Sequence, residues 1–287
     1  MYNLINLINI QIIIYCKNNA ITIRKRVGSF SGAYCFFVYF CQKKNNALKK
    51  CNQMKYTALQ WIGDFLSLFY PDYCPACGEV LMRNERCICT NCSIHLPRTE
   101  DSRFSPNPTE RLFWGRVPVV AAAARFKFKK GGGVQSLIHH LKYKDRPDIG
   151  RYFGRMLGEE LRQNPQFLTV DALVPIPLHP KKRRLRGYNQ SEEIAAGIAM
   201  ALERPVWPDV LVRQVATATQ TKRSAFQRWE NVRTVFAVPD PARIAGRHLL
   251  LVDDVITTGS TMEAAALKLL EAPGVTVSMA ALAVDVL

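Results

Sequence analysis

The first 53 residues of the chain contain no aspartate and no glutamate, although they contain eight lysines and arginines, eight asparagines and eight isoleucines. The whole chain has 287 residues and a formal net charge of +16, and about half of that charge lies in this segment. The remaining 31 basic and 23 acidic residues give residues 54–287 a net charge of +8. An excess of this size favours an anionic partner, such as a phosphate-rich small molecule, a nucleic acid or a membrane surface.

The N-terminal segment also lacks an apolar run long enough to cross a bilayer. Its runs at 5–16 and 33–41 are shorter than the roughly 20 residues that a transmembrane helix needs. No basic region precedes the first run and no clear small-residue cleavage site follows it, which argues against a secretory signal. A transit peptide would explain the missing acids but not the clustered asparagine and isoleucine. We expect residues 1–53 to be an atypical extension, either a non-coding stretch before a true start at Met54 or a disordered tail.

A short helix and a cysteine cluster are expected over 54–96. Apolar residues recur at helical spacing in 58–71, and Pro71 ends that pattern. Two C-x-x-C pairs follow, because Cys74 and Cys77 form one pair and Cys89 and Cys92 form the other. Two such pairs separated by a short loop can bring four thiolates to one tetrahedral Zn²⁺.

The zinc is expected to be structural, because four thiolates close its coordination shell and leave no position for water. Gly78 follows the first pair, where a tight turn needs a positive φ. Disulfides are the competing interpretation, but they need an oxidising compartment, and the sequence has no export signal. Cys87 is an alternative ligand to Cys89 at a less usual spacing. We therefore predict a small zinc ribbon in a cytoplasmic protein.

The rest of the chain predicts an α/β domain. Residues 97–115 are rich in proline, serine, arginine and asparagine and are expected to form a linker. From 116 to 287, apolar strands alternate with helical patterns, which is typical of a parallel sheet flanked by helices. The expected strands lie within 117–126, 169–178 and 248–254, and the expected helices at 134–144, at 149–163, from about 191 and from about 260. His139 and His140 are neighbours on a helix, point in different directions and are poor joint metal ligands.

The stretch LLLVDDVITTGSTM, residues 249–262, predicts an anion site at the end of a buried strand. The loop after the strand offers successive backbone N–H groups and hydroxyls to a phosphate, and the dipole of the following helix adds to the attraction. Its residues are Thr257, Thr258, Gly259, Ser260 and Thr261. Asp253 and Asp254 would repel that phosphate, so they suit the ribose hydroxyls next to it, directly or with Mg²⁺.

A basic run precedes another expected helix. Five of the six residues at 181–186 are lysine or arginine, and they follow a strand that ends in a Pro-x-Pro loop. Such a run is often a solvated loop. Here an anion site is favoured, because ligands of open α/β sheets bind at the carboxyl ends of the strands.

These residues resemble the signature of the type I phosphoribosyltransferases, whose fold binds 5-phosphoribosyl-1-pyrophosphate (PRPP). The resemblance narrows to the ComF family of competence-related proteins and covers about 54–287. It is carried by CPACG with CTNC, LIHHLKYK, VPIPLHPKKRRLRGYNQSEEIA and TQTKRSAFQRWENVRTVFAV, followed by the acid pair and its loop. The resemblance implies a type I phosphoribosyltransferase fold with a small N-terminal zinc ribbon.

The resemblance also implies residue roles. Asp253 and Asp254 would hold the ribose hydroxyls, and residues 257–261 would hold the 5-phosphate. Residues 174–178, including Pro175, Ile176 and Pro177, would form the pyrophosphate loop. Residues beside that loop would be Arg186, Gly187, Tyr188, Asn189 and Gln190. Residues 213–233 would form a mobile hood with Arg213, Gln220, Arg228 and Asn231 as its polar pattern; a hood excludes water from the reacting ribose.

Two functions follow from the resemblance. The first is support of DNA uptake in natural transformation, with PRPP, single-stranded DNA and a competence helicase as partners. The basic run and Lys127, Lys129 and Lys130 would contact phosphates, and Tyr188 and Trp229 would stack on bases or simply pack. The second is phosphoribosyl transfer to an acceptor that the sequence does not identify, since a fold and a ligand site do not establish turnover.

Overall fold

The structure, a computed structural model, describes residues 4–7, 10–17, 20–27, 71–213 and 235–285, and it divides into units at 1–70 and 71–287. In the first unit, β1 (Leu4–Leu7), β2 (Ile10–Lys17) and β3 (Ala20–Val27) form an antiparallel sheet. Leu7 pairs with Ile10, and Lys17 pairs with Ala20. The helix expected at 58–71 lies outside the described residues except for Pro71.

The second unit contains eight α-helices and a parallel sheet among its described residues. The helices are α1 (Thr90–His95), α2 (Pro108–Arg111), α3 (Gly133–Tyr143), α4 (Pro147–Leu161), α5 (Pro165–Leu168), α6 (Pro180–Arg186), α7 (Gln190–Leu202) and α8 (Ser260–Leu269). The strands are β4 (Ala122–Lys127), β5 (Ala172–Pro175), β6 (Val212–Arg213), β7 (Phe236–Ala237), β8 (His248–Ile256) and β9 (Thr276–Val284).

Four of these strands form the central sheet in the order β4-β9-β8-β5, with every pair parallel. β8 and β9 lie at its centre and are apolar almost throughout, as strands covered on both faces must be. On one face, Phe126, Leu250 and Val252 pack in a cluster with α3, α4 and α7. On the other, Leu249 and Leu251 pack in a cluster with α8. The predicted fold class, a parallel sheet flanked by helices, is confirmed.

The pairing of α4 with α7 depends on small residues. Gly154 and Gly197 lie where a Cβ would come within 2.3 Å of a backbone oxygen of the opposite helix, that of Ile194 and Arg151 respectively. The two helix backbones therefore approach more closely than any larger side chain permits. This contact fixes the first turn of α7, which begins at the carboxyl end of β5.

One local expectation differs from the structure. Residues 97–115 were expected to form a linker, but Thr99 N–H donates to Arg125 O and Lys127 N–H donates to Pro97 O, so 97–99 pairs with the edge of β4. Farther along, Asn107 and Phe113 are buried. The basic run at 181–186, for which a solvated loop was the competing interpretation, forms α6, because Pro180 starts the helix and Gly187, at φ +80°, ends it. In the part of the chain that the structure describes, no helix has the length and apolar character that a bilayer span requires.

Candidate functional site

The two C-x-x-C pairs converge as their spacing predicts. The sulfur atoms of Cys74, Cys77, Cys89 and Cys92 all lie within 4.8 Å of one another. Gly78 has φ +80° and its N–H donates to Cys74 O at 2.8 Å, which closes the first turn. Backbone N–H groups also point at the sulfurs, since Cys89 N lies 3.4 Å from Cys74 Sγ. The cluster could therefore hold a zinc ion with four thiolates.

Cys87, the alternative ligand, is buried in the apolar cluster away from the four sulfurs. Burial raises its pKa to about 12, so its thiol stays protonated. Burial also acts to raise the pKa of Cys74, but N–H donors from Cys89, Cys77 and Ala76 outweigh that effect and lower it to about 7. Burial also raises the pKa of Cys92, which is one of the four clustered cysteines, so the position of its sulfur, and not its pKa, separates Cys87 from the cluster.

The ribbon is not an independent module, because it shares its core with the α/β sheet. Cys74, Ile88 and Leu96 belong to the same apolar cluster as Val134 and Phe126. Ser136 Oγ of α3 also donates to Pro75 O at 2.6 Å. The N-terminal half of α3 is therefore packed against the ribbon.

The other end of α3 reaches the acid pair at the end of β8. Asp254 is 5% exposed, and its Oδ1 lies 3.0 Å from Lys142 Nζ, while its Oδ2 accepts from Gln190 Nε2 at 3.0 Å. Asp253 is partly exposed and its Oδ1 accepts from Ser191 Oγ at 3.0 Å. Burial, with the adjacent charge of Asp254 as a second cause, raises the pKa of Asp253 to about 7.

The loop after β8 turns sharply into α8. Gly259 has φ +75° and is the N-cap residue of α8, so it has no side chain to cap that helix, although Ser260 N–H donates to Thr258 Oγ1 at 3.5 Å. The N–H groups that follow Ser260 in the first turn are available to a bound anion, with the positive end of the helix dipole behind them. The hydroxyls of Thr258 and Ser260 lie 3.0 Å apart at the same place.

Two residues, one at the end of the expected linker and one just after it, support this loop. A Cβ on Gly259 would lie 2.9 Å from Phe113 Cε1, so the aromatic ring fixes the turn by contact. Arg116 Nη1 donates to Thr258 O at 2.8 Å, and its Nη2 pairs with Glu263 of α8. Phe113 and Arg116 are two residues that sequence analysis did not find, because they lie more than 140 positions from the loop that they support.

The residues expected to form the pyrophosphate loop lie at the end of β5. Pro175 and Ile176 are buried and Pro177 is partly exposed. Asn189 is buried, donates to Ile176 O at 3.0 Å and caps α7 through Ser191 N–H. Asn189 therefore joins the loop to α7, which carries Gln190 and Ser191 to the acid pair.

Arg186 and Tyr188 contact α3, whereas Arg213 lies at the start of the segment expected to form the hood. Arg186 lies over the ring of Tyr143, 4.9 Å from its centroid, and Tyr188 donates its hydroxyl to Leu141 O. Arg213 lies over the ring of Phe236, where β6 and β7 pair antiparallel. This ladder joins the two ends of the segment expected to form the hood. Gln220, Arg228, Asn231 and Trp229 lie outside the described residues.

Comparison with known proteins agrees with this geometry. A family model described as "Phosphoribosyl transferase domain" matches residues 191–285. The DNA utilization protein YhgH of Shigella flexneri is 30% identical over 222 residues, which cover 75% of this chain and 91% of that protein. Competence protein F of Haemophilus influenzae is 32% identical over 130 residues, covering 44% of this chain and 57% of that protein. Competence protein ComFC of Bacillus subtilis is 25% identical over 198 residues, covering 69% and 71% respectively.

The sheet, the loop before α8 and the family match define a protein of the phosphoribosyltransferase fold, with a four-cysteine cluster that fits a zinc ribbon. Within that class, the chain belongs to the ComF family, as its resemblance to competence-related proteins predicted.

Proposed function

We propose that this protein binds PRPP at the carboxyl edge of its sheet and supports the handling of incoming DNA in natural transformation, in the cytoplasm. The observation that carries the proposal is the N-terminus of α8, whose N-cap residue is the glycine Gly259, beside the acid pair, in a chain related to competence and DNA utilization proteins. Residues 257–261 would take the 5-phosphate, and Asp253 and Asp254 would take the ribose hydroxyls.

The polar groups around the acid pair suit a ligand with hydroxyl donors. Ionised carboxylates only accept hydrogen bonds, and ribose offers two adjacent O–H donors. Gln190 adds a further acceptor, because its Oε1 is buried without a hydrogen-bond partner among the described residues. An unsatisfied buried acceptor costs about 1–3 kcal/mol, so a ligand hydroxyl that reached it would recover part of that cost.

The charge of the acid pair favours a ligand only when Asp253 is ionised. With a pKa raised to about 7, Asp253 is partly protonated at neutral pH. A ribose hydroxyl donates best to the ionised form, so ligand binding and ionisation should be coupled. Mg²⁺ would accompany the pyrophosphate of PRPP and offset part of its charge.

The zinc ribbon would act as structural support rather than as a catalytic centre. Its four sulfurs leave no open coordination position, and its core is continuous with that of the sheet domain. We do not extend the proposal to phosphoribosyl transfer, because the names of the relatives point to DNA handling and no described residue identifies an acceptor.

The test is calorimetric titration of the full chain with PRPP and Mg²⁺, without and with bound single-stranded DNA. Micromolar PRPP binding that depends on Asp253 would support the ligand site. A change in PRPP affinity when DNA is bound would show that PRPP binding and DNA binding are coupled. Absence of PRPP binding, together with salt-sensitive DNA binding, would refute the ligand site and leave a nucleic-acid module on an inherited fold.

A further inference from the structure

The motif LIHHLKYK, residues 137–144, contains both core residues and a lysine at the acid pair. Leu137, Ile138 and Leu141 are buried in the core, so most of the motif is explained by packing. Lys142 is not explained in this way, because its side chain is 24% exposed and its ammonium group lies against Asp254. The position of this lysine therefore needs a separate account.

Lys142 and Gln190 hold the two oxygens of Asp254 from different helices. Lys142 Nζ of α3 lies 3.0 Å from Oδ1, and Gln190 Nε2 of α7 lies 3.0 Å from Oδ2. A carboxylate with a donor on each oxygen has one preferred orientation. Lys142 therefore fixes the direction in which Asp254 presents its remaining lone pairs.

The helix that carries Lys142 is anchored at both ends. Ser136 donates to Pro75 O of the ribbon, and Leu141 O accepts from the hydroxyl of Tyr188. Tyr143, the next residue, lies under Arg186 of α6. An 11-residue helix is about 16 Å long, so α3 extends from the ribbon to the acid pair as one rigid element. The backbone of Lys142 is therefore held close to the acid pair.

The positive charge of Lys142 also reduces the repulsion between the acid pair and an anionic ligand. Two adjacent carboxylates near a loop that binds phosphate would repel the ligand. The charged neighbours that act on Asp253 are Asp254 on its own strand and Lys142 on α3, and α7 contributes the neutral hydroxyl of Ser191. Lys142 thus offsets one of the two negative charges of the pair.

A purely stabilising ion pair is the competing explanation. Buried ion pairs add little net stability compared with apolar side chains of similar size, because each charge loses its hydration. A pair kept at the end of β8, next to the anion loop, is better explained by the site than by the fold.

We propose that Lys142 is a positioning residue of the phosphoribosyl site, which orients Asp254 for the ribose hydroxyls and offsets one of the two charges of the acid pair. This inference rests on the proposed binding of PRPP. It predicts that Lys142 acts on the ribose, which PRPP shares with ribose 5-phosphate, and does not depend on the pyrophosphate.

The experiment compares Lys142→Met and Lys142→Arg, with Lys144→Met as a matched control. Lys144 lies two residues farther along, is exposed, and its replacement removes the same charge. Affinity for PRPP and for ribose 5-phosphate is measured by calorimetry on the full chain. Lys142→Met should weaken both ligands by a similar factor of about tenfold or more, Lys142→Arg should largely restore them, and Lys144→Met should leave them unchanged.

A pH series separates positioning from a general loss of structure. Lys142 lowers the pKa of Asp253, so Lys142→Met should move the midpoint of the pH dependence of binding upward relative to the unaltered chain. Titration of the ligand phosphate affects both proteins alike and cancels in that comparison. Denaturation of each variant reports its stability. If Lys142→Met fails to fold, Lys142→Gln provides a second neutral side chain for the same comparison.

Three outcomes would overturn the role proposed for Lys142. Unchanged affinity in a folded Lys142→Met variant would overturn the inference while leaving PRPP binding intact. A loss confined to PRPP would also overturn it, because Lys142 would then contact the pyrophosphate. If the unaltered chain binds neither ligand, the proposed function fails and this inference fails with it.

Discussion

The cysteine cluster and the acid pair both concentrate acidic groups, but the protein balances them in different ways. Four sulfurs lie within 4.8 Å of one another, and the groups that point at them are mainly backbone N–H donors. The two aspartates instead have a lysine, an amide and a hydroxyl from α3 and α7. The first arrangement needs a metal ion to hold four thiolates together, and Zn²⁺ offsets half of their charge. In the second, Lys142 offsets one of the two carboxylate charges, and the side chains around the pair are already in place for a ligand that can exchange.

Among the tests of this difference, removal of a zinc ligand should have the largest effect. We expect Cys89→Ser to lose one bound zinc and most of the stability of residues 74–92, because structural zinc contributes about 10–16 kcal/mol in isolated zinc modules. Cys87→Ser is the control, since it changes a neighbouring thiol outside the cluster and should keep its zinc. Zinc content by mass spectrometry, with hydrogen exchange over the ribbon, measures both.

Equal zinc content in Cys89→Ser and the unaltered chain would show that the cluster does not bind the metal as four ligands. Because the ribbon and α3 share a core, loss of zinc should also weaken PRPP binding through the position of Lys142. Unfolding confined to the sheet domain after chelation would contradict a structural zinc in the ribbon.

The second test separates the two aspartates. Asp253→Asn should weaken PRPP binding by about 10- to 100-fold, since hydrogen bonds to a charged group contribute about 1.5–3 kcal/mol, and the fold should remain. Asp254→Asn should weaken binding too, but it also leaves Lys142 without its counter-ion and should reduce stability by about 1–3 kcal/mol. Calorimetry with PRPP and chemical denaturation distinguish the two variants. Equal loss of stability in both would contradict the separate environments described for the pair.

The third test is pH. The pKa of Asp253 is raised from its usual value near 3.9 to about 7, so between these values the folded chain binds a proton that the unfolded chain has released. The stability from this group is complete below about pH 4 and falls as pH rises through about 7, while PRPP binding gains over the same interval. Asp253→Asn should remove this component, so its stability relative to the unaltered chain should increase between pH 5 and pH 8 by about 1–3 kcal/mol. The same difference at both pH values, measured by denaturation, would show that Asp253 has an ordinary pKa.

The difference between the cysteine cluster and the acid pair also shows which features could be predicted from the sequence. The ribbon lies within one segment of 19 residues, so the spacing of Cys74, Cys77, Cys89 and Cys92 determines it locally. Apolar strands alternating with helices predicted the parallel sheet for a similar reason. The acid-pair site brings together residues of α3, α7 and β8, and no local pattern shows that Lys142 meets Asp254. Phe113 was overlooked because the polar composition of 97–115 concealed a buried ring.

The smallest expected effect concerns DNA and the charges of α6. Arg183 pairs with Glu192 at 3.1 Å and Arg186 lies over Tyr143, whereas Lys182 is exposed. Lys182→Ala should therefore remove about one phosphate contact. For single strands, the slope of the logarithm of affinity against the logarithm of salt concentration should then fall by about 0.7. Arg155→Ala on α4 is the control, because it removes an exposed charge that pairs within its own helix.

Fluorescence anisotropy of labelled single-stranded DNA at several salt concentrations would measure these slopes. Equal slopes for Lys182→Ala and the unaltered chain would exclude α6 from the DNA surface. Base stacking by Tyr188 is not expected to add to binding, since its hydroxyl donates to Leu141 O and its ring packs against the apolar core. Tyr143 is 61% exposed next to Arg186 and is the better stacking residue. Lys142 is the cation that pairs with Asp254, so the exposed charges of α6 are available to an external anion. A smaller salt slope for Lys182→Ala than for the unaltered chain would therefore place DNA on α6.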